Sequence, residues 1–297
     1  MEIFIGSGDT EGVVVRVDNK HVVQIKGQTH LLEIPGVECL NPDQESPERV
    51  YSKTFSNKRI YLPNEAEEAK KEVLGGSDVV VIGMTGYSRL TDQQCFEWGI
   101  KPRAYENACM DILGTVIHNL NKEYPGIKVK LVDGASDMGV DQAVIEVARQ
   151  LNIEHLGYSC PEYLFYVKDD EDPIFVAGTR QAYSDAFIAN LDILFSVGGR
   201  VQALEHDISA AIRFNKHLIL LNILHSLSTN GNPPARDGNG NVVDATAAFY
   251  ESIARLSKNH LYASYEDLKD FATETSTIMC RKMLSPEISF GSWKRNT

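Results

Sequence analysis

Residues 192–222, DILFSVGGRVQALEHDISAAIRFNKHLILLN, restrict the possible fold more than any other stretch of the chain. Two apolar runs, 192–197 and 217–222, have the length and composition of buried strands. Between them Leu204, Ile208, Ala211 and Ile212 recur at helical spacing. Strand, helix and strand in this order form a βαβ unit, which places two parallel strands in one sheet. The pair Gly198-Gly199 stands where the first strand hands over to the helix. Backbone N–H groups at such a turn, with the positive end of the helix behind them, can hold an anion. Glycine there lets a phosphate approach closely. Glu205 follows Gly198 by seven positions, two turns into the helix. The same pattern also suits a βαβ unit in which the glycine pair is only a tight connection.

From Asp78 onward strands alternate with helices, the pattern of a parallel sheet covered on both faces. Strands are expected at 78–83, 127–133, 153–158, 192–197, 217–222 and 260–264. Helices are expected at 105–123, 139–151, 179–190, 201–214, 245–257 and 266–282. The Gly/Asn/Pro-rich segment 226–244 is expected as a loop. Residues 2–34 hold short β-like runs separated by turn residues, and residues 35–76 are polar and irregular, becoming helical near their end. The expected fold class is α/β: a Rossmann-like parallel sheet with helices on both faces, preceded by a small N-terminal β domain. The expected divisions are a β-rich domain at 1–45, a connector at 46–76, the Rossmann-like domain at 77–285 and a tail at 286–297.

Three glycine-bearing loops leave carboxyl ends of these strands: Gly83-Met84-Thr85-Gly86, Gly134 through Gly139, and Gly198-Gly199-Arg200. Ligands of open α/β sheets bind outside those ends, so one crevice lined by all three loops is expected. The net charge of −12 argues against general nucleic-acid binding, which relies on clustered Lys and Arg. It leaves room for a small phosphorylated ligand. The five cysteines are odd in number and lack metal-ligand spacing, so neither a metal site nor a disulfide framework is expected. No stretch has the length and apolarity of a membrane span, and the start MEIFIGSGD lacks the pattern of a secretion signal. A cytoplasmic protein is expected, with no membrane partner and no cofactor.

Three segments carry a family likeness. VVVIGMTGYSRLTD (79–92) is similar to a first strand with a T-G-S-R-like loop, and VDGASDMGVDQAVIEVARQLNI (132–153) to a G-x-x-x-G-x-D segment opening a helix. DILFSVGGRVQALE (192–205) is similar to the motif G-G-x-G-T-x-x-E, with Val201 in place of its third glycine and Gln202 in place of its threonine. In this order the segments resemble the SLOG superfamily, which includes Lonely Guy-type phosphoribohydrolases, the Rossmann domain of DNA-processing protein A and assorted nucleotide sensors. The resemblance implies a nucleotide-binding Rossmann domain and a homodimer formed through helices beside the site. It places Glu205 and Arg180 in catalytic roles. Nucleotide contacts then fall to Gly83, Thr85, Gly86, Arg89, Gly134, Ser136, Asp137, Gly139, Asp141, Gly198, Gly199, Arg200 and Gln202.

The implied reaction is hydrolysis of the N-glycosidic bond of a nucleoside 5′-monophosphate or a related nucleotide. Positive charge grows on the ribose as the base leaves, and a buried carboxylate, expected to be Glu205, stabilises it or holds the attacking water. Arg180 would fork onto the phosphate. The alternative is a non-catalytic receptor that senses or sequesters a small nucleotide-derived signal, which the Val201-Gln202 replacement favours. A DNA-associated accessory role fits the acidic charge least. Other features have plainer uses. Ser136 and Asp137 are placed to cap the helix at Gly139. The long loop from Thr85 to Tyr105, with Ser88, Tyr87 and Trp98, has the length of a lid. His155, His206 and His217 are expected in core or surface positions, and the acidic run 169–172 as a solvated loop, with a divalent cation site as its other use. The apolar stripe of 201–214 serves either a second copy or the chain's own sheet.

Overall fold

The computed structural model describes residues 12–28, 31, 34–45, 48–56, 58–167, 172–199, 203–230, 246, 249–250, 253, 260–263, 273–274 and 277. Strands β1 (Gly12–Val17), β2 (Lys20–Lys26), β3 (Glu38–Cys39) and β4 (Val50–Phe55) form a four-stranded antiparallel sheet in the order β1-β2-β4-β3. After β5 (Ile60–Tyr61) come the short helix α1 (Ala66–Ala69), β6 (Val79–Thr85), α2 (Asp92–Trp98), α3 (Ala104–Glu123) and β7 (Lys128–Asp133). Then follow α4 (Gly139–Leu151), β8 (His155–Ser159), β9 (Ile174–Val176), α5 (Arg180–Ala189) and β10 (Ile193–Ser196). A wide π-type turn at Ala203–Asp207 leads into α6 (Ile208–Arg213), β11 (His217–Leu221), α7 (Ile223–Leu227) and β12 (His260–Ala263). Strands β5 to β12 make an eight-stranded sheet in the order β12-β11-β10-β6-β7-β8-β9-β5, with every neighbouring pair parallel. This is the α/β, Rossmann-like architecture with a small antiparallel sheet before it.

Period-2 alternation explains why the central strands are apolar throughout. Val80, Ile82 and Met84 of β6, with Ile193 and Phe195 of β10, pack against α3, α4 and α7. Val79 and Val81, with Leu194, Leu218 and Leu220, pack on the opposite face against α5, α6, Tyr250 and Ile253. Every apolar residue of β6 therefore has a helix layer to enter. The antiparallel sheet packs through Val23, Ile25, Tyr51 and Phe55 onto Ala135, Leu164, Phe165 and Ile174 at the edge of the large sheet.

Several expectations need correction. Residues 46–76, expected as a connector, supply β4 to the small sheet and β5 to the edge of the large one. Strand β4 hides Ser52 and Lys53, whose ammonium donates to the carbonyls of Phe165 and Val167, so its core face does not look apolar. Strand β9 was not expected either. The lid-like loop is short, because α2 occupies its middle and Tyr87 and Trp98 are core residues. Of the apolar stripe, Leu204, Ile208 and Ala211 are buried in the chain's own core, while Ile212 stays exposed. The expected helices at 245–257 and 266–282 and the tail at 286–297 lie mostly outside the described residues.

Candidate functional site

The chain runs β6, β7, β8, β9 toward one edge of the sheet, then returns to lay β10 on the other side of β6. The point where strand order reverses lies between β6 and β10, and the loops leaving those strands diverge there. The register is tight up to the split: Thr85 pairs with Ser196, and Val197 donates to the Thr85 carbonyl. Beyond it, close backbone approach requires glycine. A Cβ on Gly86 would lie 2.2 Å from the Tyr105 hydroxyl and 2.7 Å from Val197, and Gly198 has φ +88°. Gly139, with φ +55°, would press a Cβ to 2.2 Å from the Tyr87 carbonyl. The three glycine loops thus meet at one end of the sheet.

Tyrosine hydroxyls hold the loops. Tyr105 accepts from the Tyr87 amide at 2.9 Å and donates to the Val197 carbonyl at 3.3 Å. Tyr250 accepts from the Gly198 amide at 2.7 Å and shares a 2.7 Å hydrogen bond with Ser196. The Gly198 N–H, expected to face an anion, is therefore held by the protein itself. So is the Gly134 amide, which donates to Asp141 Oδ1 at 2.7 Å. Ser136 donates to Asp141 Oδ2 at 2.8 Å instead of capping α4, whose first residue follows Met138 without any side-chain cap.

Two carboxylates look into this end of the sheet. Asp141 and Asp207 each keep some contact with solvent, yet protein surrounds them on most sides. Burial, with the nearby Asp133 charge second, pushes Asp141 up to about 7 against the hydrogen bonds from Ser136 and Gly134. Burial likewise pushes Asp207 up to about 6, against hydrogen bonds from Thr85, at 2.5 Å, and Ser184. Asp207 also adds to the rise at Asp141, so the two share one region. Tyr183 of α5 lies beside both, and burial followed by these two carboxylates holds its hydroxyl well above the usual range. Tyr163 meets Tyr183 edge to face at 5.8 Å, and the Arg180 guanidinium lies 5.3 Å from the Tyr163 ring centre. Arg180, at the start of α5, is thus joined to the carboxylates only through the rings of Tyr163 and Tyr183.

Glu205, expected as the buried carboxylate, is exposed on the π-type turn. Leu204, Ile208 and Ala211 point that segment's apolar face inward. Asp207, three residues after Leu204 and four before Ala211, shares that face. An acidic residue on an apolar stripe was the signal available in the sequence. Gly83 is a packing position, since a Cβ there would strike Leu191 and Val132. Arg89 is exposed on the β6 loop, and Asp137 is half-buried beside Ser136. Arg200 and Gln202 lie outside the described residues. No group of three or more potential metal ligands occurs among the described residues.

Behind the crevice, on the α4 face, Asp133 and His155 meet at 2.8 Å through Nδ1, and His155 Nε2 stands 3.2 Å from Asp172. Asp172 also pairs with Arg149. Burial works against charge on His155, but its two carboxylate partners outweigh this and raise it to about 10. Asp172, expected in a solvated loop, is held well below the usual carboxylate range by His155 and then Arg149, with burial opposing. His155 is thus a charged core residue.

No protein-family model and no curated protein matches the chain. Among solved structures it is similar to the molybdenum cofactor carrier protein of Chlamydomonas reinhardtii, at 14% identity and a TM-score of 0.42, over 67% of this chain and 98% of that one. A second structure of that carrier protein gives 15% and 0.41, over 67% and 97%. A structural genomics target, TM1055, gives 19% and 0.33, over 52% and 76%. No helix among the described residues is long and apolar enough to cross a membrane.

Proposed function

We propose that the protein binds a nucleotide in the crevice between β6 and β10 and hydrolyses its N-glycosidic bond. The observation that carries this reading is the convergence of three glycine loops and two carboxylates at the switch point of a parallel sheet. Arg180 takes the phosphate in this reading, because its planar fork suits an oxyanion. Thr85 and Ser136 offer polar partners for a ribose. A ligand at the Gly198 turn competes with the Tyr250 hydroxyl, so Gly86 and Gly199 matter for the close approach they allow. The likeness of the three sequence segments to the SLOG superfamily points the same way.

A receptor that binds a nucleotide without cleaving it is the second reading. The exposure of Glu205 favours it, because a solvated carboxylate stabilises developing positive charge less than a buried one. Incubation with a panel of nucleoside 5′-monophosphates and dinucleotides, followed by chromatography for free base, separates the two. Release of base from at least one nucleotide is expected. Saturable binding without release over hours would establish the receptor, and neither binding nor release would remove both readings.

A further inference from the structure

Resting on the hydrolase reading, we propose that Asp207 and Asp141, not Glu205, are the base and the acid of the reaction. Asp207 takes a proton from the attacking water, and Asp141 gives a proton to the departing base. The geometry sets them apart from the other acidic residues. Asp207 reaches the end of β6 at the switch point, where Thr85 and Ser184 donate to it from two different elements. Asp141 enters the same end from the first turn of α4, held by the Gly134 amide and Ser136. Four hydroxyl or amide donors from β6, α5 and the β7 loop fix two side chains that remain partly open to solvent. Among the described residues no Lys or Arg pairs with either carboxylate, whereas Asp133 and Asp172 are both matched by cations. A carboxylate fixed by neutral donors and open to water can change its protonation state without taking the fold apart.

The steps balance. The C1′–N bond breaks and its electron pair leaves with the base, which takes the Asp141 proton. Water adds its oxygen to C1′ as its proton passes to Asp207. The proton on Asp207 then returns to Asp141 through solvent, so one water is consumed per bond. Two carboxyl groups acting on opposite sides of a glycosidic bond are the general solution to this chemistry. The order of roles follows their surroundings. Asp141 faces the charges of Asp133 and Asp207, and Asp207 has His206 nearby. Tyr183 lies beside both. The like charges around Asp141 favour its protonated form, whereas His206 favours the anion at Asp207.

The test is the pH dependence of base release by the full chain, for wild type, Asp207→Asn and Asp141→Asn, with nucleotide binding measured alongside. For wild type, kcat/KM is expected to rise through about pH 6 and to fall above about pH 7. Asp207→Asn should lose the acid limb and Asp141→Asn the alkaline limb. Each should slow release by at least about 10²-fold with binding kept. Wild-type limbs near these positions support the pair even where a variant fails to fold. The pair is overturned if wild type releases base with no limb in this range, if both variants turn over at the wild-type rate, or if Glu205→Gln alone removes turnover. If wild type binds nucleotides and releases no base, the hydrolase reading falls and takes the acid and base roles with it.

Discussion

Asp133 and Asp172 on the α4 face, and Asp141 and Asp207 at the switch point, are two carboxylate pairs within the same few strand ends, held by opposite means. The first pair clamps His155 between two negative charges, and Arg149 completes the chain of ions. Here the charged form is stabilised on both sides, and the group is locked in one state. The second pair receives only neutral donors, and burial favours its protonated form. One pair holds strands β7, β8 and the segment before β9 together, while the other is poised to exchange protons. The difference is in the partners, since all four residues are aspartates within reach of the same sheet.

The largest expected effect comes from breaking the ion chain. His155→Ala leaves Asp133, almost fully buried, without its cation, and should cost about 3–5 kcal/mol in denaturant unfolding. The pH dependence of stability sharpens the contrast. The folded state raises His155 to about 10, so its contribution is whole below about pH 6.5 and is lost as pH rises through about 10. The folded state also raises Asp141, from 3.8 to about 7, so ionisation opposes folding and stability falls between those values as pH rises. Melting curves of wild type should show both slopes. Asp141→Asn should flatten the one between pH 4 and 7, and His155→Ala the one above 6.5. The smallest effect is expected at the outer end of the chain, where Arg149 is half exposed. Arg149→Ala should cost less than about 1 kcal/mol by the same unfolding measurement.

The parallel sheet was legible because its strands are buried on both faces and therefore appear as unbroken apolar runs. Strands β6, β7, β10 and β11 fall within two residues of their expected ends, and α4 spans the expected residues. Strands β5 and β9 are two and three residues long, too short to show any period. Their pairing depends on the sheet already being present. The meeting of the three loops followed from topology, since parallel strands put all their carboxyl ends on one side. How those loops are held did not. Tyr105 and Tyr250 act across 18 and 52 residues of sequence, and nothing local marks a tyrosine whose hydroxyl will accept a loop amide. Asp207 was legible in principle from its place on an apolar face, but the glycine motif drew attention to Glu205 instead. Likewise, Asp141 appeared as a ribose contact, while its tie to Gly134 needed the fold of the β7 loop.

Calorimetric titration tests most directly whether a nucleotide's phosphate meets Arg180. Nucleoside 5′-monophosphates and the matching nucleosides would be titrated into wild type and Arg180→Ala. Arg180 is half-buried against Tyr163 at a helix start, so its truncation leaves the core intact. Wild type is predicted to bind at least one monophosphate about tenfold or more tighter than its nucleoside, the scale of one charge-assisted hydrogen bond. Arg180→Ala is predicted to erase that difference while still binding the nucleoside. Equal affinities of wild type and Arg180→Ala for the monophosphate, or no binding of any nucleotide to wild type, would contradict the claim.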